Sequence, residues 1–194
     1  MEWYDPGVVL DLDLLRPERI RPLKRAEYDK LVEAGVFEDE KIELLRGWLV
    51  AMSPQGAKHS FPVEELIDQL AVQLHGRARI RAQSPLALSE DSEPEPDFAV
   101  VPLGDYRDEQ PTTALFVVEV AVSSVRKDCE IKSRIYAEAG VPEYWVLDVQ
   151  RAVVVRYLEP QRGVYTRATE HGRGERLALH AFPDVAVDLA AIVP

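Results

Sequence analysis

Residues 114–122 constrain the fold of this chain more than any other stretch, because they are apolar on both strand faces and carry a single carboxylate, Glu119. Successive side chains of a strand point to opposite faces, so a run that is apolar at every register belongs inside a sheet covered on both sides. Nine residues are too few to cross a bilayer, which takes about 20. A carboxylate buried in such a strand is costly unless a cation, a donor or a proton accompanies it. The ordinary alternative is a glutamate turned outward at the strand end or paired with an arginine.

The segments around this strand alternate between helix and strand. Helical spacing covers residues 22–34, stopped by Gly35, and residues 60–74, where Val63, Leu66, Ile67, Leu70 and Leu74 keep one face and Pro62 falls in the first turn. Residues 41–52 alternate around Arg46 and Gly47 as a β-hairpin. Strands are expected at 77–88, 97–101 and 115–122, a third helix at 124–139, and further strands at 144–148, 152–158, 164–170 and around 177–179. This order predicts an α/β fold with a mixed central β-sheet flanked by helices. No long Pro- or Gly-rich linker interrupts the 194 residues, which are read as a single domain.

Composition narrows the function classes. Hydrophobic residues make up 46% and charged residues 29%, too apolar for a disordered chain. The single cysteine, Cys129, excludes an internal disulfide framework and any multi-cysteine zinc site. A formal net charge of −11 argues against a protein that coats nucleic acid by neutralising phosphates, though not against an enzyme that reaches a phosphodiester through a bound cation. The opening MEWYDPG has neither the basic nor the apolar region of a secretory signal, so a cytoplasmic protein without membrane association is expected. No dinucleotide, P-loop, zincin or nucleophile-elbow signature occurs.

Three further patterns carry chemistry. Glu95-Pro96-Asp97 opens a short apolar strand; Asp97 either caps a turn or, beside a strand carrying Glu119, joins it on one hard cation such as Mg²⁺. On a helix advancing about 100° per residue, Asp128 and Lys132 fall within the apolar stripe of Ile131, Ile135, Ala139, Val125 and Tyr136. Arg126, Lys127, Glu130, Ser133, Arg134 and Glu138 fall opposite it. A surface i, i+4 pair would belong on that opposite face. Arg77, Arg79 and Arg81 alternate with small or apolar residues and share one strand face, either to grip phosphates or as a solvated edge.

Asp97, Glu119 and Lys132 form the acid–acid–lysine set of a metal-dependent nuclease. Together with Ile42 to Gly47, Met52 to Pro54, His59, the Glu95-Pro96-Asp97 turn, Val118 to Val120, Asp128 and Ala139 to Asp148, they make the chain resemble the Uma-type endonucleases of the PD-(D/E)XK, restriction-endonuclease-like superfamily. The resemblance covers roughly residues 23–148 and implies a nuclease-like core there, with a β-rich extension at 149–194 and extra strands at both ends. It implies an Mg²⁺- (or Mn²⁺-) dependent endodeoxyribonuclease in which Asp97 and Glu119 hold the metal. Lys132 would orient water or stabilise charge on phosphorus, and Glu43, His59 and Asp128 are secondary site candidates. It also implies nucleic acid, DNA first, as substrate, and a homodimer. The superfamily lysine position, two residues after the glutamate, is Ala121 here, so Lys132 stands as a migrated lysine. Where family members show Ser-Pro-Ser-Thr, this chain has Val122 to Val125 and one residue less before Lys132. The rival reading is a catalytically inactive nuclease fold used for binding or assembly, which the net charge of −11 favours.

Overall fold

A computed structural model describes residues 21–52 and 55–194. Ser53 and Pro54, within one of the family-like stretches, and the opening MEWYDPG lie outside the described residues. The described chain begins with helix α1 (Arg25–Glu33), the hairpin β1 (Ile42–Leu45) and β2 (Trp48–Ala51), and helix α2 (Ala57–Ala71). The hairpin turns on Arg46 and Gly47, both with positive φ (53° and 78°), the backbone of a two-residue primed turn. Glycine is required at 47 because a side chain would collide with Pro22 and Leu23. β1 is anchored by backbone bonds between Leu44 and Glu93, which leaves Glu43 fully buried.

Strands β3 (Arg79–Ala82), β4 (Phe98–Val101), β5 (Phe116–Ala121), β6 (Glu143–Asp148), β7 (Val153–Gln161) and β8 (Val164–Gly172) form one six-stranded sheet in that order. Only β5 and β6 are parallel; the other neighbours are antiparallel. A parallel pair needs a crossover. It is supplied by a continuous helical run: α3 (Val125–Lys127), a π-turn (Asp128–Lys132) and α4 (Ser133–Glu138). A small two-stranded sheet of β9 (Arg176–Ala178) and β10 (Ala186–Asp188) and the short α5 (Leu189–Ile192) complete the chain.

The predicted central strand is central: β5 and β6 are buried at every position. One face packs Phe98, Val100, Phe116, Val118, Trp145 and Leu147 beneath α2 and the C-terminal elements. The other packs Ala99, Val101, Val117, Tyr144 and Val146 beneath the helical run through Tyr136. Phe116 meets Trp145 edge-on at 4.7 Å between ring centroids, a favoured aromatic geometry.

Three expectations are corrected and one pair of elements is new. The strand expected over 77–88 is confined to Arg79–Ala82, because Gln83 turns with φ 48° and Pro85 can offer no N–H to a ladder. Helix α2 starts at Ala57, not 60, so Pro62 lies one turn inside; His59 and Ser60 donate to the Gly56 carbonyl and supply the earlier turn. The C-terminal β10 and α5 are not legible in the sequence, being only three and four residues long. The third helix is not uniformly α-helical. Its π-turn shifts the phase, so that Ile131 is 45% exposed while Ser133, expected on the polar face, is buried.

Candidate active site

Glu119 occupies the fourth position of β5, next to its C-terminal end and on the face covered by the helical run. β4 and β5 pair Phe98 with Val118; continuing that register by one residue sets Asp97 opposite Glu119 on the same face. Both carboxylates line a cavity of about 390 Å³, together with Gln55, His59, Lys127, Asp128 and Lys132.

Asp97 is nearly fully buried and held from three sides. Its Oδ2 accepts the Val120 backbone N–H at 2.7 Å. Its Oδ1 lies 3.0 Å from His59 Nε2 and accepts from Gln55 Nε2 at 3.4 Å. The extra first turn of α2 is what carries His59 to this position. His59 Nδ1 is buried without a hydrogen-bond partner among the described residues. Gln55 in turn accepts from Gln83, the residue at positive φ.

Glu119 uses Oε1 for two bonds, from Lys132 Nζ at 2.9 Å and from Tyr136 Oη at 2.7 Å. Lys132 Nζ also meets Glu43 Oε2 at 2.8 Å, and the other oxygen of Glu43 meets Lys127 Nζ at 2.9 Å. The Glu95 backbone N–H donates to Glu43 Oε2, tying the hairpin to the turn that presents Asp97. Asp128 is buried beside Lys132 and accepts from the Ser124 hydroxyl. The structure therefore brings Asp97, Glu119, Lys132, Glu43, His59 and Asp128 into one cluster.

The electrostatics of the cluster are uneven. Burial pushes the Glu119 carboxyl well above its usual range; Lys132 pulls it down, but Asp97, Asp128 and Glu43 push it up again. Burial likewise raises Asp128, against the pull of Lys132 and Ser124. Glu43 is buried too, yet the two ammonium groups hold it below the ordinary carboxylate value. Burial disfavours the Lys132 ammonium, but Glu119, Glu43 and Asp128 outweigh it and keep the group protonated. Four carboxylates thus face two ammonium groups from Lys127 and Lys132.

The donor set fits a hard divalent cation. Fully ionised, the cluster carries two uncompensated negative charges, and Glu119 Oε2 takes no hydrogen bond from a described side chain. Among the described residues no three His, Cys, Asp or Glu side chains are arranged to enclose a metal. A cation here would be held by two carboxylates, with water and backbone oxygen completing its shell, as Mg²⁺ commonly is.

Sequence reasoning misses Gln55, Lys127 and Tyr136. The phase of a straight helix assigns Lys127 to the opposite, polar face, and nothing in its sequence context marks it. The same phase places Tyr136 in the apolar stripe, where its hydroxyl has no foreseeable partner. The arginine stripe does not reach the cavity. Arg77 lies outside β3 in a two-pronged pair with Asp184, at 2.8 and 2.9 Å. Arg81 donates to Gln110 and lies over Tyr106, and Arg79 is exposed. None of the three lines the site.

Comparison with known proteins supplies the family context. The model of the Uma2 family, described as "Putative restriction endonuclease", matches residues 25–190. A crystal structure of "a putative nuclease belonging to DUF820" from Anabaena variabilis shares the fold with a TM-score of 0.71. The match covers 89% of this chain and 98% of that one at 15% sequence identity. No curated protein matches the chain significantly.

Proposed function

The chain belongs to the Uma2 family, and from that membership we propose that it is a metal-dependent endonuclease that hydrolyses phosphodiester bonds in nucleic acid, with DNA the expected substrate. The observation that carries the reading is the placement of Asp97 and Glu119 side by side on one sheet face, with Lys132 on Glu119, at the wall of a cavity.

Asp97 and Glu119 would hold Mg²⁺ or Mn²⁺, which when bound polarises a phosphoryl oxygen and lowers the pKa of an attacking water. The protein's part is to aim both carboxylates. Tyr136 and Lys132 fix Glu119 Oε1 and leave Oε2 available. Glu43 fixes Lys132. His59, Gln55 and the Val120 N–H fix Asp97. Preorganised groups of this kind need not rearrange as charge develops on phosphorus. Water oxygen bonds to phosphorus in line with the departing ester oxygen, which leaves as an alcohol and takes up a proton. No side chain of the cluster is assigned as a dedicated general base.

A second reading, an inactive nuclease fold serving as a binding or assembly module, draws on the net charge of −11, which slows encounter with a polyanion. Incubation with single- and double-stranded DNA and RNA in Mg²⁺ or Mn²⁺ separates the two. The nuclease reading expects cleavage that is lost in Asp97→Asn. Absence of cleavage on every substrate, with no thermal shift by Mn²⁺, favours the module. We further propose a homodimer, for which β8 is a sheet edge unpaired among the described residues. Sedimentation at 21.9 kDa, with no heavier species, counts against it. Among the described residues no helix is long and apolar enough to cross a membrane.

A further inference from the structure

We propose that Lys127, and not Lys132, is the ammonium that meets a phosphate of the bound strand; the inference rests on the nucleic-acid reading of the site above. Lys132 is sealed in: its side chain is 2% exposed and its Nζ sits between Glu43 at 2.8 Å and Glu119 at 2.9 Å. A phosphate could reach it only by displacing two buried carboxylates that have no other ammonium of comparable depth. Lys127 is 28% exposed, lines the same cavity, and contacts one acid, Glu43, at 2.9 Å. An ammonium has three N–H donors, so Lys127 can keep its bond to Glu43 and still donate to an incoming oxyanion.

The π-turn puts it there. Residues five apart on a regular α-helix are separated by about 140° around the axis, given about 100° per residue. The turn over Asp128–Lys132 bonds Ser133 N–H to the Asp128 carbonyl, a five-residue step that underwinds the helix and narrows the angle between positions 127 and 132. Both lysines therefore reach Glu43, one oxygen each, at two depths. The deeper ammonium keeps Glu119 paired, and the shallower one offsets the negative wall that would otherwise repel a phosphodiester. Lys58 is the remaining cation on the cavity lining, but it is exposed at the rim and makes no ion pair with a described residue.

The test measures binding of a labelled single-stranded oligodeoxynucleotide in Ca²⁺ across a NaCl series, beside cleavage in Mg²⁺ and Mn²⁺. Lys127→Met should weaken binding roughly tenfold and flatten the slope of log K against log[NaCl] by about 0.7, the value of one phosphate contact on a single strand. Lys127→Arg should keep the parental slope. A lysine that only supports Glu43 would change the unfolding midpoint and leave the slope alone, which would overturn the proposal. Acetylation of the unmutated protein, read by mass spectrometry, covers the case of a variant that does not fold. The oligonucleotide should protect Lys127, and equal labelling with and without it would overturn the assignment. A parent that binds but never cleaves refutes the nuclease reading and leaves Lys127 judged by its slope. A parent that cleaves while Lys127→Met keeps the full slope refutes Lys127 alone. A parent that neither binds nor cleaves refutes both.

Discussion

Two glutamates are buried on the two parallel central strands, and their surroundings differ in kind. Glu143, at the start of β6, faces α2 and the C-terminal elements and is completely buried. Its Oε1 accepts from Trp145 Nε1 at 2.9 Å and Arg156 Nε at 2.8 Å, and its Oε2 from the His180 N–H at 2.7 Å. Arg156 continues to the Ala178 carbonyl, so this carboxylate staples the chain around 178–180 to the sheet. Glu119 faces the other way, places both of its bonds on one oxygen, and shares its site with Asp97, Asp128 and Glu43 beside an open cavity. A buried charge with matched donors is architecture. One with surplus like charge and an unbonded oxygen is where the proposed cation would sit.

The largest expected effect separates the two glutamates by activity. Glu119→Gln should lower cleavage by about a thousandfold, the upper scale for losing one preorganised electrostatic group, with the fold intact by circular dichroism. Retained cleavage would dissolve the distinction. The mirror experiment is Arg156→Met, which leaves Glu143 buried without its cation. It should cost about 3 kcal/mol and lower the melting temperature by roughly 6–12 °C, while cleavage per folded molecule stays at the parental rate.

A pH series sharpens the contrast. The folded pKa of Glu119 is raised above the unfolded value of 4.5. As pH climbs past that value the unfolded chain ionises first, so this carboxyl erodes stability with rising pH when no metal is present. Metal-free Glu119→Gln should therefore gain stability relative to the parent as pH rises above about 4.5, by on the order of 1 kcal/mol for each step of one in pH until the folded carboxyl ionises, and Mn²⁺ should close the gap. Glu43 has the opposite sign. Its folded pKa is depressed, so its contribution is present above 4.5 and lost as pH falls through the folded value. Urea midpoints of the parent, Glu119→Gln and Glu43→Gln, read from below pH 4.5 upward, measure both; a gap that does not vary with pH for Glu119→Gln contradicts the site's surplus charge.

The smallest effect tests the helical phase that supplies the site's lysines. Ile131→Ala should change stability by no more than about 0.5 kcal/mol, because the π-turn faces Ile131 outward. Ile135→Ala should cost about 2 kcal/mol or more, since Ile135 is buried. Equal costs in thermal denaturation would mean that the helix runs straight and that Lys127 does not share a face with Lys132.

Much of this is legible from residue order. The doubly apolar run of 114–122 places β5 at the centre of the sheet, because only a strand covered on both faces can bury every side chain it carries. Asp128 and Lys132, charges within an apolar stripe, are marked for burial, and both are buried. Glu43 offers no such mark. It sits in a hairpin whose alternation says only that one face is covered, and its burial depends on β1 docking against Glu93. The arginine stripe allows two readings, a solvated edge or a phosphate grip; the lining of the cavity includes none of its three members, and Arg77 falls outside the four residues of β3.

By itself the sequence determined the class of fold, the central strand, the identity of its anomalous carboxylate and the family motif set. These follow from local periodicity and from the cost of burying charge, which a chain carries wherever it folds. The tertiary structure decided which charges meet. Pairing of β4 with β5 sets Asp97 opposite Glu119 across 22 residues of chain, the hairpin brings Glu43 under two lysines that follow it by 84 and 89 residues, and the π-turn chooses which lysine is sealed and which faces the cavity. Contacts at such separations depend on strand register and helical phase, and a single added residue in one turn is enough to rotate a side chain from solvent to site.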